Sequence, residues 1–365
     1  MIPLCDARSQ NKKLLEEITD AVIDVVNSGK YINGSHVLEF ELEFGEFCGA
    51  APYCCAVSSA SAGLCMALLA LGVSGEVIIP DMTVGANAEA VILAGCIPVF
   101  CDVNDKGQMD VGRLERLINP KKTGAIIAVH MYGTPCDILQ IEKIARHSNI
   151  KLIEDCAQAH GVTINSIGIG TIGDIGVFSF YPSKPLGAMG DGGAVITNNH
   201  YIWERLNAIR DHGRTSDKQR HNLLGFNFRM SDIIAAILSV KLRHLNEWIE
   251  ARRLIAKRYD EMLPKELIMS CSNNSSNYLY PIVSKNRDEL RKKLHEKEIQ
   301  TGVHYAIPLH RQPAFKKYIH PALCPPYPWA GAEYIASHEL SIPIYPELSC
   351  SDQDKIISTI KKYYK

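Results

Sequence analysis

Residues 54–72 read CCAVSSASAGLCMALLALG and place a strand, a turn and a helix in direct succession. Cys54–Val57 is a short apolar run, Ser58, Ser59 and Ser61 crowd a turn of small residues, and helical spacing begins near Ala62. The pattern then repeats. VIIP at Val77 precedes a helical run at Asn87–Leu93, PVFCDV at Pro98 precedes Val111–Ile118, AIIAVH at Ala125 precedes Ile138–Arg146, and KLIE follows at Lys151. Strands alternating with helices predict an α/β fold with a mainly parallel sheet covered on both faces. The strand runs lack polar alternation, as burial on both faces requires.

A chain of 365 residues exceeds what one core usually serves, so two domains are expected. The sequence divides into a larger part, residues 1–245, with helical spacing from Asn11 to Val26 closed by Gly29, and a smaller α/β part, residues 246–365. In the smaller part, NYLYPIV and GVHY read as strands, Asp288–Lys297 and Asp352–Lys362 as helices, and residues 321–328 as a proline-rich connection. One long helical pattern from about Ser231 links the two parts, and its basic run from Arg252 to Arg258 reads as a solvated face.

Lys and Arg total 39 against 40 for Asp and Glu, which leaves no basic face for nucleic acid. Twelve cysteines, mostly within apolar patterns and with no signal peptide before them, read as reduced buried thiols of a cytoplasmic protein. No Cys-x-x-Cys pair or regular His/Cys spacing supports a metal site. Apolar runs end well short of membrane-spanning length.

Three strand ends carry chemistry. Residues 177–195, VFSFYPSKPLGAMGDGGAV, present Lys184 where a buried strand breaks into a glycine-rich loop. A lysine amine made neutral by burial or a neighbouring charge is a nucleophile toward carbonyls. The ordinary alternative is a solvated lysine at a strand-to-loop corner. Residues 151–161, KLIEDCAQAHG, place Asp155 at the end of a parallel strand, where open α/β sheets bind ligands. The serine-rich turn before the first helix offers N–H groups and hydroxyls to an anion, most often phosphate. An acid, a phosphate cradle and a Schiff-base lysine are the parts that a pyridoxal phosphate enzyme needs.

These stretches, together with PDMTVGANAEAV at 80–91, GFNFRMSDIIAAI at 225–237 and VHYAIPLHRQPAF at 303–315, resemble the successive signatures of the DegT/DnrJ/EryC1/StrS family of nucleotide-sugar aminotransferases. The resemblance runs through essentially the whole chain. It implies a fold type I, aspartate aminotransferase-like architecture, with a large cofactor domain and a smaller C-terminal domain.

The resemblance also implies roles. Lys184 would bind pyridoxal 5'-phosphate covalently and move the donor's proton, although Pro185 stands where relatives more often have asparagine. Asp155 would face the pyridine nitrogen and Gln158 the ring. Ser61, Ala62 and Ser179 would hold the phosphate, and Asn227 would reach it from the other subunit of a homodimer. Val84 replaces the usual stacking aromatic, a loss of ~0.5–1.5 kcal/mol of ring stacking. The turn YINGS at 31–35 would lie near the active site, and His304, Tyr305 and His310 near the sugar nucleotide; the planar fork of arginine makes Arg229 and Arg214 candidate partners for a diphosphate or the donor carboxylate.

The implied activity is transfer of an amino group, from L-glutamate, to C3 or C4 of a nucleotide-linked keto sugar, for surface polysaccharide, lipopolysaccharide, O-antigen or related amino-sugar synthesis. GFNFRMSD leans toward relatives acting at C4 and HYAIPLHRQPAF toward those acting at C3. A pyridoxamine-dependent sugar dehydratase is a rival that Lys184 argues against, because such relatives replace the lysine. A non-catalytic regulatory relative is the other alternative. A nicotinamide dehydrogenase fails for want of a G-x-G-x-x-G after the first strand.

Overall fold

The computed structural model describes residues 1–49, 53–215, 217–269, 274–318 and 329–364; the proline-rich segment 321–328 lies outside them. Seven strands form the main sheet: β1 (Tyr53–Val57), β2 (Glu76–Pro80), β3 (Ile97–Cys101), β4 (Thr123–Val129), β5 (Lys151–Asp155), β6 (Ile175–Ser179) and β7 (Gly193–Thr197). Their spatial order is β1-β7-β6-β5-β4-β2-β3. β7 runs antiparallel to both neighbours and the remaining pairs are parallel. The reversal follows from the connection: the loop from β6 to β7 contains no helix, and a parallel return needs a crossover.

Helices cover both faces. On one lie α2 (Leu15–Ser28) and α3 (Ser35–Phe47), preceded in the chain by α1 (Ala7–Lys13), and on the other α4 (Ala60–Ala70) and α5 (Ala86–Leu93). α6 (Val111–Leu117) and α7 (Ile138–His147) join the first face, and α8 (His200–Arg210) the second; α9 (Asp232–Leu242) returns to the first. Successive strand residues point to opposite faces. Accordingly Leu152 packs with Phe44 and Phe178 on one side, while Ile153 packs with Leu64 and Val177 on the other.

The helix expected over Asn11–Val26 is broken at Leu14, so α1 and α2 are separate, and α2 closes on Gly29 at φ 66° as the sequence indicates. The long pattern after Ser231 is likewise two helices, α9 and α10 (Leu245–Met262), separated at Arg243 and His244. α10 also corrects the expectation of a solvated basic face. Arg252 is only 3% exposed, and its guanidinium donates to the carbonyl of Ile344 at 2.6 Å and approaches those of Asn277 and Tyr278 at 3.4 Å. Carbonyl dipoles around one guanidinium nitrogen offset the sequestered charge, contacts that no local pattern announces, while among the described residues Nε is left without a partner.

Beyond α10, β8 (Tyr280–Val283) and β9 (Glu339–Ile342) pair antiparallel among α11 (Arg287–Glu296), α12 (Ala330–His338) and α13 (Cys350–Tyr363). Their core joins Tyr259, Tyr280, Leu294, Ile342 and Ile356 to Ile2 from the start of the chain, whose N–H donates to Glu298 O at 2.7 Å. GVHY does not form the expected strand. Gly302 makes a single bridge to Ser341, and the next free N–H, that of His304, is taken by the Glu339 carboxylate at 2.6 Å.

Candidate active site

The carboxyl ends of β5 and β6 converge with the start of α4. Asp155, the last residue of β5, is 3% exposed. Its Oδ1 accepts the N–H of Ala157 at 3.0 Å and its Oδ2 accepts Asn87 Nδ2 at 2.9 Å. Asn87, wholly buried in the first turn of α5, also donates to Thr83 Oγ1 at 3.2 Å, while its Oδ1 has no partner. The carboxylate is therefore oriented from two sides.

Lys184 sits in a closed turn beyond β6, its N–H donating to Tyr181 O at 2.8 Å. Its ammonium lies 4.2 Å from the centre of the Tyr278 ring, and the Tyr278 hydroxyl meets Ser183 Oγ at 3.0 Å. From behind, the buried Lys241 ammonium donates to Gly187 O and to Asn11 Oδ1. Burial pulls the Lys241 ammonium down to about 8. The lysine loop is thus pinned to α1 and α9.

Two imidazoles lie within the electrostatic reach of Lys184. His160, against Phe178 and Phe180, is driven down to about 3 by burial and then by the lysine's charge. His304 is driven down to about 4 by the same two causes in the same order. Both are neutral at physiological pH. The Tyr305 phenol is pushed up by burial, then by Tyr278 and Asp155, which places Tyr305 with the same group. Gln158 turns its Oε1 to the N–H of Tyr132 at 2.5 Å, so its carbonyl end is occupied in shaping the wall.

Ser61 and Ala62, expected to hold the phosphate, both lie in the first turn of α4. α4 begins at Ala60 with Ser59 as its cap, and Ser59 Oγ accepts the N–H of Ala62 at 3.2 Å. Ala62 has therefore spent its donor. The N–H groups of Ala60 and Ser61, at the first two helical positions, have no intrahelical acceptor, and the Ser61 side chain is exposed beside them. Beneath this turn, a Cβ on Gly193 would stand 2.6 Å from Ser59 C and 2.7 Å from Ala60 N. Ser179 pairs with Gly193 across β6 and β7, and its Oγ accepts the N–H of Tyr181 at 3.3 Å. Val84 is 39% exposed, an open aliphatic surface just before α5.

GFNFRMSD runs beside the end of β1: Ser58 N–H donates to Phe228 O at 2.8 Å, and Arg229 bridges to Val57. Asn227 is exposed, its Oδ1 held by the Arg229 guanidinium, whose other nitrogen reaches Asp211 Oδ1 at 2.6 Å. Arg214 meets the same carboxylate oxygen at 2.6 Å. The turn at Asn33 and Gly34 packs on this segment, with Gly34 N–H donating to Asp232 Oδ2 at 3.0 Å. His310 has both ring nitrogens engaged, Nδ1 at 2.5 Å from Asp81 Oδ2 and Nε2 at 3.0 Å from Glu333 Oε1, and it stacks on Trp329 at 4.1 Å. It clasps the end of β2 to α12.

Residues 12–361 match the DegT/DnrJ/EryC1/StrS aminotransferase family. The chain belongs to that family. It is 37% identical to the dTDP-3-amino-3,6-dideoxy-alpha-D-galactopyranose transaminase of Aneurinibacillus thermoaerophilus, covering 100% of this chain and 99% of that one. It is 36% identical to the erythromycin biosynthesis sensory transduction protein EryC1 of Saccharopolyspora erythraea, with 99% of each chain covered. Among solved structures, a DegT DnrJ EryC1 StrS aminotransferase from Brucella abortus superposes with a TM-score of 0.95 at 34% identity over 100% of both chains.

The residues present suit the cofactor of DegT/DnrJ/EryC1/StrS aminotransferases, pyridoxal 5'-phosphate. An oriented carboxylate matches a protonated ring nitrogen, a lysine matches an aldehyde, and two free helix N–H groups above a Cβ-free floor match a phosphate. Asn87 and Tyr278, which touch Asp155 and Lys184 in the candidate site, and Lys241, which holds the lysine loop from outside it, were not singled out in the sequence. The signal available for Asn87 was a polar amide in the first turn of a helix otherwise apolar toward the sheet.

One buried cluster, His130, Glu154 and Cys156, has metal-ligand residue types. Its Glu154 accepts the N–H groups of Gly170, Ile172 and Gly173 at 3.0, 2.8 and 2.7 Å and contacts His130 Nε2 at 3.2 Å. Those donors saturate the carboxylate, which makes the cluster an anchor for the loop before β6. Among the described residues no helix is long and apolar enough to cross a membrane.

Proposed function

We propose that the chain is a pyridoxal phosphate-dependent aminotransferase that moves an amino group from L-glutamate to C3 of a nucleotide-linked keto sugar. The observation that carries the reading is the convergence of Asp155, Lys184 and the open start of α4, each on a separate strand end of the sheet. The C3 assignment draws on HYAIPLHRQPAF and on the 3-amino sugar named for the relative from Aneurinibacillus thermoaerophilus.

Bound pyridoxal phosphate supplies an aldehyde and an electron-withdrawing ring that carries the amino group from donor to acceptor. The chain's residues do the rest. Asp155 holds the ring nitrogen protonated, since a carboxylate beside a cationic acid favours its charged form by ~1–3 pKa units. The N–H groups of Ala60 and Ser61, with the Ser61 hydroxyl, bind the phosphate. Lys184 is the residue that would hold the aldehyde, and its amine would be the base that takes the proton from the donor Cα. Val84 covers the ring face.

The reading includes a homodimer in which Asn227 of one subunit completes the phosphate site of the other. Exposure of Asn227 and its restraint by Arg229 support this. Asn227→Ala should weaken cofactor binding in the assembled protein, and unchanged affinity would count against a shared site.

The deciding experiment is the visible spectrum of the protein with pyridoxal phosphate before and after L-glutamate, in wild type and Lys184→Ala, followed by 3-keto and 4-keto nucleotide sugars. A lysine-dependent band bleached by glutamate and restored by a 3-keto sugar is expected. Absence of any lysine-dependent band would move the regulatory reading forward.

A further inference from the structure

β9 brings a second set of polar side chains to the segment that carries His304. Glu339 and Ser341, two residues apart and so on the same face of the strand, are both wholly buried. Ser341 Oγ donates to Glu339 Oε1 at 2.5 Å and lies 2.9 Å from His304 Nδ1. The other carboxylate oxygen, Oε2, accepts the backbone N–H of His304 at 2.6 Å. The His304 carbonyl in turn accepts the Tyr132 hydroxyl at 2.8 Å.

Hydrogen counting fixes the direction of this chain. Above about pH 7, the value to which burial raises Glu339, the carboxylate is ionised and only accepts, so the Ser341 proton goes to Glu339, and Ser341 Oγ can then receive only a donor from the imidazole. A neutral imidazole has one N–H, and here it must be at Nδ1. Nε2 keeps its lone pair, and among the described residues no hydrogen-bond partner engages it. Burial and the neighbouring Lys184 charge keep the ring neutral. A cationic donor would be repelled by Lys184, so a neutral donor such as a sugar hydroxyl suits Nε2.

We propose that Glu339 and Ser341 are positioning residues that fix His304 in the Nδ1–H tautomer, so that Nε2 accepts a hydrogen bond from a hydroxyl of the sugar substrate. The substrate half of this inference rests on the aminotransferase reading; the tautomer half stands on the geometry of the chain alone. His304 was already a candidate by motif. Its two supports were not, because they belong to a strand more than thirty residues away and show no local signature.

The test uses the holoenzyme with 15N-labelled histidine at pH 8, above the value of about 7 to which burial raises Glu339. Two-bond proton–nitrogen correlation reads the tautomer of each ring, and His304→Gln assigns the signal by deleting it. Wild type should show protonated Nδ1 and bare Nε2, and Ser341→Ala should shift the ring toward the other tautomer or a mixture. Ser341→Thr, which keeps the hydroxyl, should restore it. In kinetics, Ser341→Ala should raise the KM for the sugar about tenfold with little change in kcat, the size of one hydrogen bond to substrate.

A wild-type Nε2–H tautomer, or a Ser341→Ala spectrum identical to wild type, would overturn the proposal. The wild-type spectrum decides even if Ser341→Ala fails to fold. It is read without substrate turnover, so its failure is separate from failure of the aminotransferase reading.

Discussion

Asn87 Nδ2 stands 2.9 Å from Oδ2 of Asp155 and 3.2 Å from Thr83 Oγ1, so one amide from the start of α5 aims the carboxylate at the end of β5. Orientation and charge can be separated by mutation. Asn87→Ala keeps the charge and removes one orienting donor, and it should lower kcat about tenfold, the worth of one hydrogen bond to a charged group. Asp155→Asn removes the charge that holds the ring nitrogen protonated, and its loss in kcat should be about a hundredfold or more. Steady-state kinetics with saturating cofactor would compare the two. Equal losses would mean that orientation, not charge, is the contribution of Asp155.

The floor under the phosphate turn gives an independent check. A methyl group on Gly193 would meet backbone atoms of Ser59 and Ala60 at 2.6 and 2.7 Å, distances that force the turn to move. The same methyl group would stand 2.9 Å from the Phe178 carbonyl oxygen of β6, so Gly193→Ala should weaken cofactor affinity at least tenfold by displacing the N–H groups of Ala60 and Ser61 together with the adjoining end of the β6–β7 pairing. Fluorescence titration with pyridoxal phosphate, beside circular dichroism for the fold, measures both. Wild-type affinity in a folded variant would place the phosphate elsewhere.

Lys241 holds the lysine loop from outside the site. Its ammonium bonds Gly187 O, three residues beyond Lys184, and Asn11 Oδ1. Lys241→Met fills similar space and leaves both acceptors without a donor. A loss of about 1–3 kcal/mol in unfolding free energy is expected from such stranded groups. Faster release of the cofactor should accompany it, as the loop loses its tie to α1. Urea unfolding and cofactor dissociation rates would show whether the two effects travel together.

The architecture was readable where local sequence determines it. Apolar runs of strand length separated by helical spacing, from Cys54 to Ile153, gave the parallel sheet because strands buried on both faces cannot hide their composition. The positions of Asp155 at the end of β5 and of Lys184 in the loop after β6 were readable because charged residues beside such apolar strands are conspicuous. The start of α4 lies at Ala60, two residues before the helical spacing near Ala62, because the cap at Ser59 starts the helix earlier than its apolar spacing suggests. Arg252 was misread since its partners are carbonyls from 25 to 92 residues away. The pairing of Lys241 with Asn11, 230 residues apart, and of Ser341 with His304 has the same character: tertiary contacts between polar residues leave no periodic trace.

His160 ties the site to acid stability. The ring is fully buried between Phe178 and Phe180, and neither nitrogen reaches a partner with hydrogen-bond geometry. Its folded-state value of about 3 lies below the ~6.5 of an unfolded chain. Between those values the unfolded chain binds a proton that the folded chain refuses, so stability falls as pH falls from about 6.5 toward 3. At pH 5 this one group should account for a loss of about 2 kcal/mol relative to pH 7. His160→Met preserves apolar packing, with sulfur against the aromatic rings, and lacks the titration. Urea unfolding at pH 7 and pH 5 should therefore show a smaller loss in the variant than in wild type, and the depressed His304, common to both proteins, cancels in the comparison. Parallel losses in the two proteins would mean that the His160 ring accepts its proton in the folded state, through a bound water or a rotation that the packing against Phe178 and Phe180 does not forbid.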